Sequence, residues 1–152
     1  MKITTRAMTA SDIVNVAQLF DLYRQFYEQP SNAQLAYDFI YERFTLGESV
    51  VLVAESAEKG VLGFCQLYPT FCSVAAAPIY TLYDLFVSPE ARKSGAGRQL
   101  LLAAEARAIA DGKVRMDLTT AKTNVPAQSL YESLGWVRDE VFYAYNRFVP
   151  KK

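Results

Sequence analysis

The chain contains no histidine. Serine and cysteine triads built on imidazole, histidine general bases and the common zinc ligand sets are therefore excluded. Any chemistry falls to Tyr, Asp, Glu, Cys, Lys, water or backbone groups. Cysteine is scarce as well: Cys65 and Cys72 stand in an apolar region without metal-like spacing. They read as buried reduced thiols, with a disulfide or redox role as the alternative, and no metal is expected. No apolar run has the length needed to cross a bilayer, and the opening MKITTRAMTASDI has no secretory core, so a cytoplasmic protein without membrane contact is expected. Charge of one sign is also missing, with 16 Lys and Arg against 16 Asp and Glu. With neither a basic stripe nor a recognisable reading motif, no nucleic-acid partner is expected.

What is present is a chain of 152 residues, 51% hydrophobic and 21% charged, the size and composition of one globular domain spanning residues 1–152. KITTRAM reads as a first strand. TASDIVNVAQLFDLYRQFYEQ carries apolar residues at helical spacing (Ile13, Val16, Ala17, Phe20, Tyr23) until Pro30 interrupts it. SNAQLAYDFIYERFTLG predicts a second helix, stopped at Gly47. SVVLVAES and VLGFCQLYPTF, separated by AEKG, read as a hairpin, and PIYTLYDLFVSP as a further strand. GRQLLLAAEARAIADG then predicts a helix, VRMDLTT a strand, VPAQSLYESLG a short helix and WVRDEVFYAYNRFV a last strand. The order implies an α/β fold of mixed type: a single mixed central sheet with helices on both faces.

Between the strand ending at Val87 and the helix opening near Leu100, SPEARKSGAG must reverse the chain. Gly95 and Gly97 let backbone approach a ligand closely, and helix-start amides with Arg92, Lys93 and Arg98 nearby would seat a phosphate. The alternative is a loop whose glycines solve only a turning problem. A P-loop is excluded because G-x-x-x-x-G-K-[ST] is absent, and the dinucleotide fingerprint because Leu100 stands where a third glycine is needed.

Residues 92–97, RKSGAG, resemble the [RQ]-x-x-G-x-[GA] signature of the Gcn5-related N-acetyltransferases (GNAT). The resemblance extends through DLFVSP and N-x-P-A-x-x-L-Y-x-x-L-G-W, in the family's order, across nearly the whole chain. QLYPTF and YDLFV are similar to bacterial relatives of the diamine and thialysine branch. The resemblance implies the acyl-CoA N-acyltransferase fold and acetyl-CoA as acetyl donor. It implies a cofactor side made of Leu85, Phe86, Val87, Arg92, Lys93, Ser94, Gly95, Ala96, Gly97, Arg98, Asn124, Ala127 and Tyr131. In the family the tyrosine matching Tyr131 protonates the leaving sulfur, which a phenol with its ordinary pKa near 10 can do at neutral pH. Among ten tyrosines, packing is the other role for it. The carbonyl oxygen would be held by backbone N–H near Phe86 or Val87 if the strand bulges there. Asn124 or Thr123 is equally readable as a helix cap.

A substrate amine must lose a proton, and Asp84 and Glu28 are candidate acceptors, with Tyr27 and Tyr83 beside them. Asp84 is also readable as a charge paired within the sheet and Glu28 as a helix-end charge. Tyr83 stands where the diamine enzymes carry glutamate, which removes the support for a long polyamine. Asp12, Asp21, Glu28, Asp38, Glu42, Glu48, Glu55 and Glu58 outnumber Arg24 and Arg43 in the early part of the chain, an acidic bias that would attract a cationic amine unless solvent-facing helices account for it. A small-amine N-acetyltransferase is the leading expectation. Acetylation of a protein N-terminus or lysine and a non-catalytic acetyl-CoA sensor are the alternatives. The aromatic end of the chain suggests a homodimer.

Overall fold

A computed structural model describes all of residues 1–152. The chain forms two compact units, residues 1–119 and 120–152. In the first, five strands lie in sequence order: β1 (Thr4–Ala7), β2 (Val50–Ser56), β3 (Gly60–Cys72), β4 (Ala77–Val87) and β5 (Met116–Asp117). The first four pair antiparallel, and β5 joins β4 in parallel through the crossover helix α3 (Ala96–Ala110), so the sheet is mixed. Helices α1 (Ile13–Phe26) and α2 (Ala33–Thr45) fill the connection from β1 to β2.

The two faces of the sheet follow from strand alternation. Val51 and Val53 of β2, Phe64 of β3 and Phe86 of β4 form one core with Ile13, Val16, Leu19 and Phe20 of α1 and Ala36 and Ile40 of α2. The opposite face receives α3 through buried Leu100, Leu101, Ala104 and Ala108. The close approach of α3 has a sequence reason: a Cβ on Gly63 would meet the Phe86 carbonyl at 3.0 Å and Leu100 Cδ1 at 3.4 Å. The helices on both faces are those expected from the element order.

One irregularity decides which β4 side chains face α1. Gln66 pairs with Asp84 but the next residue, Leu67, pairs with Leu82, leaving Tyr83 as the extra residue of a β-bulge. Without it Asp84 would share a face with Leu82. With it Asp84 and Phe86 turn toward α1.

The segment before α1 is set by charge. Asp12 is 5% exposed and accepts hydrogen bonds from the Thr9 amide at 2.7 Å and from both Arg6 terminal nitrogens at 2.7 and 3.0 Å. Arg6 bridges on to Glu55 on β2 at 2.8 and 3.0 Å. Asp21 receives Ser31 Oγ at 2.7 Å and the Asn32 amide at 2.8 Å, and Asn32 caps α2 by accepting from the Leu35 amide at 3.1 Å.

In the second unit, α4 (Val125–Ser133) is capped by Asn124, whose side chain accepts from the Ala127 amide at 3.3 Å. It ends at Gly135 with φ 92, where the Trp136 amide donates to the Tyr131 carbonyl at 3.1 Å. WVRDEVFYAYNRFV forms no strand, contrary to the sequence expectation. Asp139 Oδ1 accepts from the Val141 amide at 2.8 Å and the Phe142 amide at 3.3 Å, a local turn that takes two amides a ladder would need. VRMDLTT is likewise shorter than expected, with only Met116–Asp117 in β5. No helix is long and apolar enough to cross a membrane.

The Arg6 guanidinium, followed by the Thr9 bonds, holds the Asp12 carboxyl down at about 2 despite its burial. A depressed carboxyl contributes stability fully above its unfolded pKa near 3.9 and loses it as pH falls through its folded pKa. Asp12→Ala is expected to destabilise the protein by about 1–3 kcal/mol at pH 7. In urea unfolding, the difference from the unsubstituted protein should shrink between about pH 4 and pH 2.

Candidate active site

The buried polar centre of the first unit is Asp84, 4% exposed on β4. Its partner is the neutral amide of Gln66 across the bulged ladder: Gln66 Nε2 donates to Asp84 Oδ2 at 2.6 Å. Gln66 is 0% exposed, and its Oε1 accepts from Ser49 Oγ at 2.7 Å. From α1, Tyr23 donates its hydroxyl to the Tyr83 carbonyl at 3.1 Å, which ties the helix to the bulge, and also engages the Asp84 carboxylate. Rings surround this point. Tyr23 stands edge-on to Phe64 and Phe86 at 6.2 Å each and to Tyr27 at 5.1 Å, and Tyr68 stands edge-on to Tyr83 at 5.6 Å.

Burial raises the Asp84 carboxyl above its ordinary value against the opposing Gln66 and Tyr23 hydrogen bonds. Burial and then the Asp84 charge raise Tyr23 and Tyr68, and burial pushes the Cys65 thiol up to about 12. The phenols and the thiol stay protonated at neutral pH.

Beyond Thr81, β4 has no partner on its β5 side, because the parallel ladder holds only Tyr80 with Met116 and Thr81 with Asp117. The Ser88 amide bonds the Leu62 carbonyl on β3 at 2.7 Å. By antiparallel alternation the amides of Leu85 and Val87 then point to the unpaired side. The bulge itself falls at Tyr83, upstream of the Phe86 and Val87 position anticipated from the sequence.

The turn after β4 is strained in a particular way. Lys93 has φ 64 and Gly95 has φ 87, the second in the N-cap position of α3. A left-handed non-glycine residue costs about 1–2 kcal/mol, which functional loops tolerate more often than others. Ser94 Oγ donates to the Ala91 carbonyl and receives the Ala96 amide at 3.3 Å. In an α-helix the first four amides have no carbonyl within the helix, so Gly97 and Arg98 present theirs ahead of α3. The space a Gly95 Cβ would enter is open to 4 Å. Arg92 packs its guanidinium 5.5 Å from the Phe86 ring and donates from Nε to the Val87 carbonyl at 3.2 Å, joining turn to strand end. Amides and cations so placed make a seat of the kind that suits an anion.

The structure therefore brings Tyr83 and Asp84 together with Tyr23 and Ser49, for which the sequence offered no functional signal, and with Gln66 and Tyr68, which lie in the QLYPTF segment but were not named there as site residues. Tyr27 is half exposed beside Tyr23, and Glu28 lies exposed at the end of α1 with φ 64. Leu85, Phe86, Val87 and residues 92–98 form the strand end and turn of the first unit. Asn124, Ala127 and Tyr131 belong to α4 in the second, where Tyr131 packs 6.2 Å from Trp136. Within the acidic early segment Asp12 and Glu55 share Arg6, Glu42 and Glu48 share Arg43, and Asp21 and Asp38 accept from neutral donors, so local pairs answer part of the bias and a negative excess remains.

The comparisons agree with this architecture. The acetyltransferase (GNAT) family model matches residues 16–136. An uncharacterized N-acetyltransferase of Bacillus subtilis (strain 168), YhfO, is 46% identical over 148 residues, covering 97% of this chain and 98% of that protein. A crystal structure of a probable acetyltransferase is 34% identical, covers 100% of both chains and superposes with a TM-score of 0.89. AAC(6')-Iy, solved with a bisubstrate analogue, shares the fold at a TM-score of 0.78 and 18% identity, covering 98% of this chain and 100% of that one.

The raised Asp84 carboxyl carries a sign. Its folded pKa lies above the unfolded value, so ionisation opposes folding fully at pH values above the folded pKa, and the penalty disappears below the unfolded one. Asp84→Asn is therefore expected to raise the unfolding midpoint at pH 7 in thermal unfolding. The gain should vanish by about pH 4, near the unfolded carboxyl value. The sheet, the signature turn preceding α3 and the match over residues 16–136 together make this chain a member of the GNAT acetyltransferase family, whose general reaction is acetyl transfer from acetyl-CoA.

Proposed function

We propose that the chain acetylates the primary amine of a small cationic molecule, with Asp84 taking the ammonium proton and Tyr131 acting as general acid. The observation that carries the reading is Asp84, a buried carboxylate with a neutral partner, raised proton affinity and aromatic walls. An ammonium is drawn to such a place by the carboxylate and by the faces of Tyr23, Tyr27, Tyr68 and Tyr83. Asp84 accepts one proton, leaving the nitrogen lone pair free to attack.

Acetyl-CoA, when bound, supplies the acetyl group as a thioester. The amides of Gly97 and Arg98, with Lys93 and Arg98 side chains, hold its phosphates, and the turn's left-handed Gly95 keeps side-chain atoms out of their way. Amides at Leu85 and Val87 steady the carbonyl oxygen as charge develops on it. Asn124 and Ala127 at the start of α4 contribute to the cofactor arm, and the Tyr131 hydroxyl gives its proton to the departing sulfur. One C–S bond is exchanged for one C–N bond; of the two protons the nitrogen loses, the first goes to Asp84 before attack, and the second, shed as the adduct collapses, restores the phenol after Tyr131 has protonated the departing sulfur. A homodimer and a cytoplasmic setting complete the proposal.

Tyr131→Phe keeps the ring and removes the proton donor, so kcat should fall about 10²-fold while acetyl-CoA affinity stays within about twofold. Gly95→Val should weaken acetyl-CoA by at least about tenfold in calorimetry, since the left-handed turn is then strained. Coenzyme A release and acetyl-product mass over a panel of polyamines, lysine analogues, aminoglycosides and peptides test the substrate class. A small diamine or lysine-like amine should have the highest kcat/KM. A large preference for a peptide N-terminus or peptide lysine would overturn the reading.

A further inference from the structure

Asp12 and Asp84 are both buried carboxylates, 5% and 4% exposed, yet they are held in opposite ways. Asp12 faces a guanidinium that cancels its charge. Asp84 faces an amide, which donates a hydrogen bond but brings no charge. A carboxylate paired with a cation is a poor proton acceptor. One given only neutral donors keeps its negative charge available to an incoming ammonium.

The geometry points to Gln66 as a positioning residue for Asp84, itself held in orientation by Ser49. Gln66 lies on β3 directly opposite Asp84 and has no exposed surface on which to satisfy its amide with water. Its two ends are both occupied: Oε1 by the Ser49 hydroxyl at 2.7 Å and Nε2 by Asp84 Oδ2 at 2.6 Å. With the acceptor end taken by Ser49, the donor end is the one aimed at the carboxylate. An inverted amide would set Oε1 against Asp84 Oδ2, oxygen against oxygen, and would repel the ionised form. Oδ2 is thereby committed to Gln66, and the carboxyl plane is fixed relative to the bulge at Tyr83. Ser49, just before β2, is partly exposed, so this chain of bonds runs from the protein surface to the buried carboxylate.

The other groups around Asp84 do not compete for this role. The Tyr23 hydroxyl from α1 is shared with the Tyr83 carbonyl, and Cys65 and Tyr68 on β3 are held protonated well above neutrality. Arg43 from α2 and Glu48, ahead of β2, act on Tyr68 and pair with each other at 2.9 Å. Tyr27 and Tyr83 are exposed beside Tyr23 and Tyr68, and Glu28 is exposed just past the end of α1.

The inference rests on Asp84 as the proton acceptor of the proposed reaction, and its test separates the two. The full-length protein is labelled with [4-13C]aspartate, and the Asp84 carboxyl carbon is assigned by its loss in Asp84→Asn and followed through a pH titration. Gln66→Met, similar in shape but without polar atoms, should move the Asp84 midpoint up by about one pH unit, the equivalent of losing one hydrogen bond to a charged group. Ser49→Ala, at a partly exposed position, should move it in the same direction by less, and Ser49→Thr should restore it. An unmoved midpoint in either Gln66→Met or Ser49→Ala, folded by circular dichroism, overturns the positioning role. If Gln66→Met does not fold, the Ser49 pair decides. Full turnover by Asp84→Asn on the amine panel would instead overturn the proton-acceptor reading, whatever the carbon titration shows.

Discussion

The single extra residue in β4, Tyr83, is the constraint on which the site depends. Strand alternation carried straight through from Leu82 would send Asp84 to the α3 face, away from Tyr23. The bulge reverses the parity, so that Leu82 stays paired with Leu67 while Asp84 and Phe86 face α1. Phe86 then joins the aromatic core of α1 and α2, and its burial helps offset the disruption of the ladder. The Tyr23 hydroxyl bond to the Tyr83 carbonyl fastens the irregular residue to the helix that covers it. A local departure from regular pairing thus delivers a carboxylate to the apolar side of a sheet.

What such a carboxylate does is decided by its partner. Asp12 shows the structural solution: a bidentate guanidinium, a helix-start amide and a carboxyl held at about 2. Asp84 shows the opposite one, with burial winning over two neutral hydrogen bonds. The first contributes to stability at neutral pH and the second opposes it, a pattern expected where activity rather than folding has set the residue. The signature turn follows the same logic, since left-handed Lys93 strains the backbone where it approaches α3.

Much of this was legible from residue pattern. The alternating runs of β2 to β4 and the 3.6-residue spacing in α1, α2 and α3 were strong enough to order the elements, and RKSGAG located the glycine turn ahead of α3. The bulge was not legible, because an inserted residue leaves composition and local alternation almost unchanged; only pairing with β3 reveals it. Gln66, Ser49, Tyr23 and Tyr68 were missed for the same reason, since their proximity to Asp84 exists only through that register. Counting charges along the chain likewise could not show how the early carboxylates are partnered, two of them sharing Arg6 and two sharing Arg43. At the other end, aromatic alternation in residues 136–149 predicted a strand, while Asp139 turns the backbone on itself.

The most direct measurement of the central claim is the pH dependence of kcat/KM for the best amine of the panel, compared between the unsubstituted protein and Asp84→Asn. If Asp84 takes the amine proton, the unsubstituted enzyme shows an acid limb with its midpoint above the ordinary carboxyl value near 3.9, and Asp84→Asn loses that limb along with about 10²-fold in rate. Superimposable profiles and rates in the two proteins would contradict it.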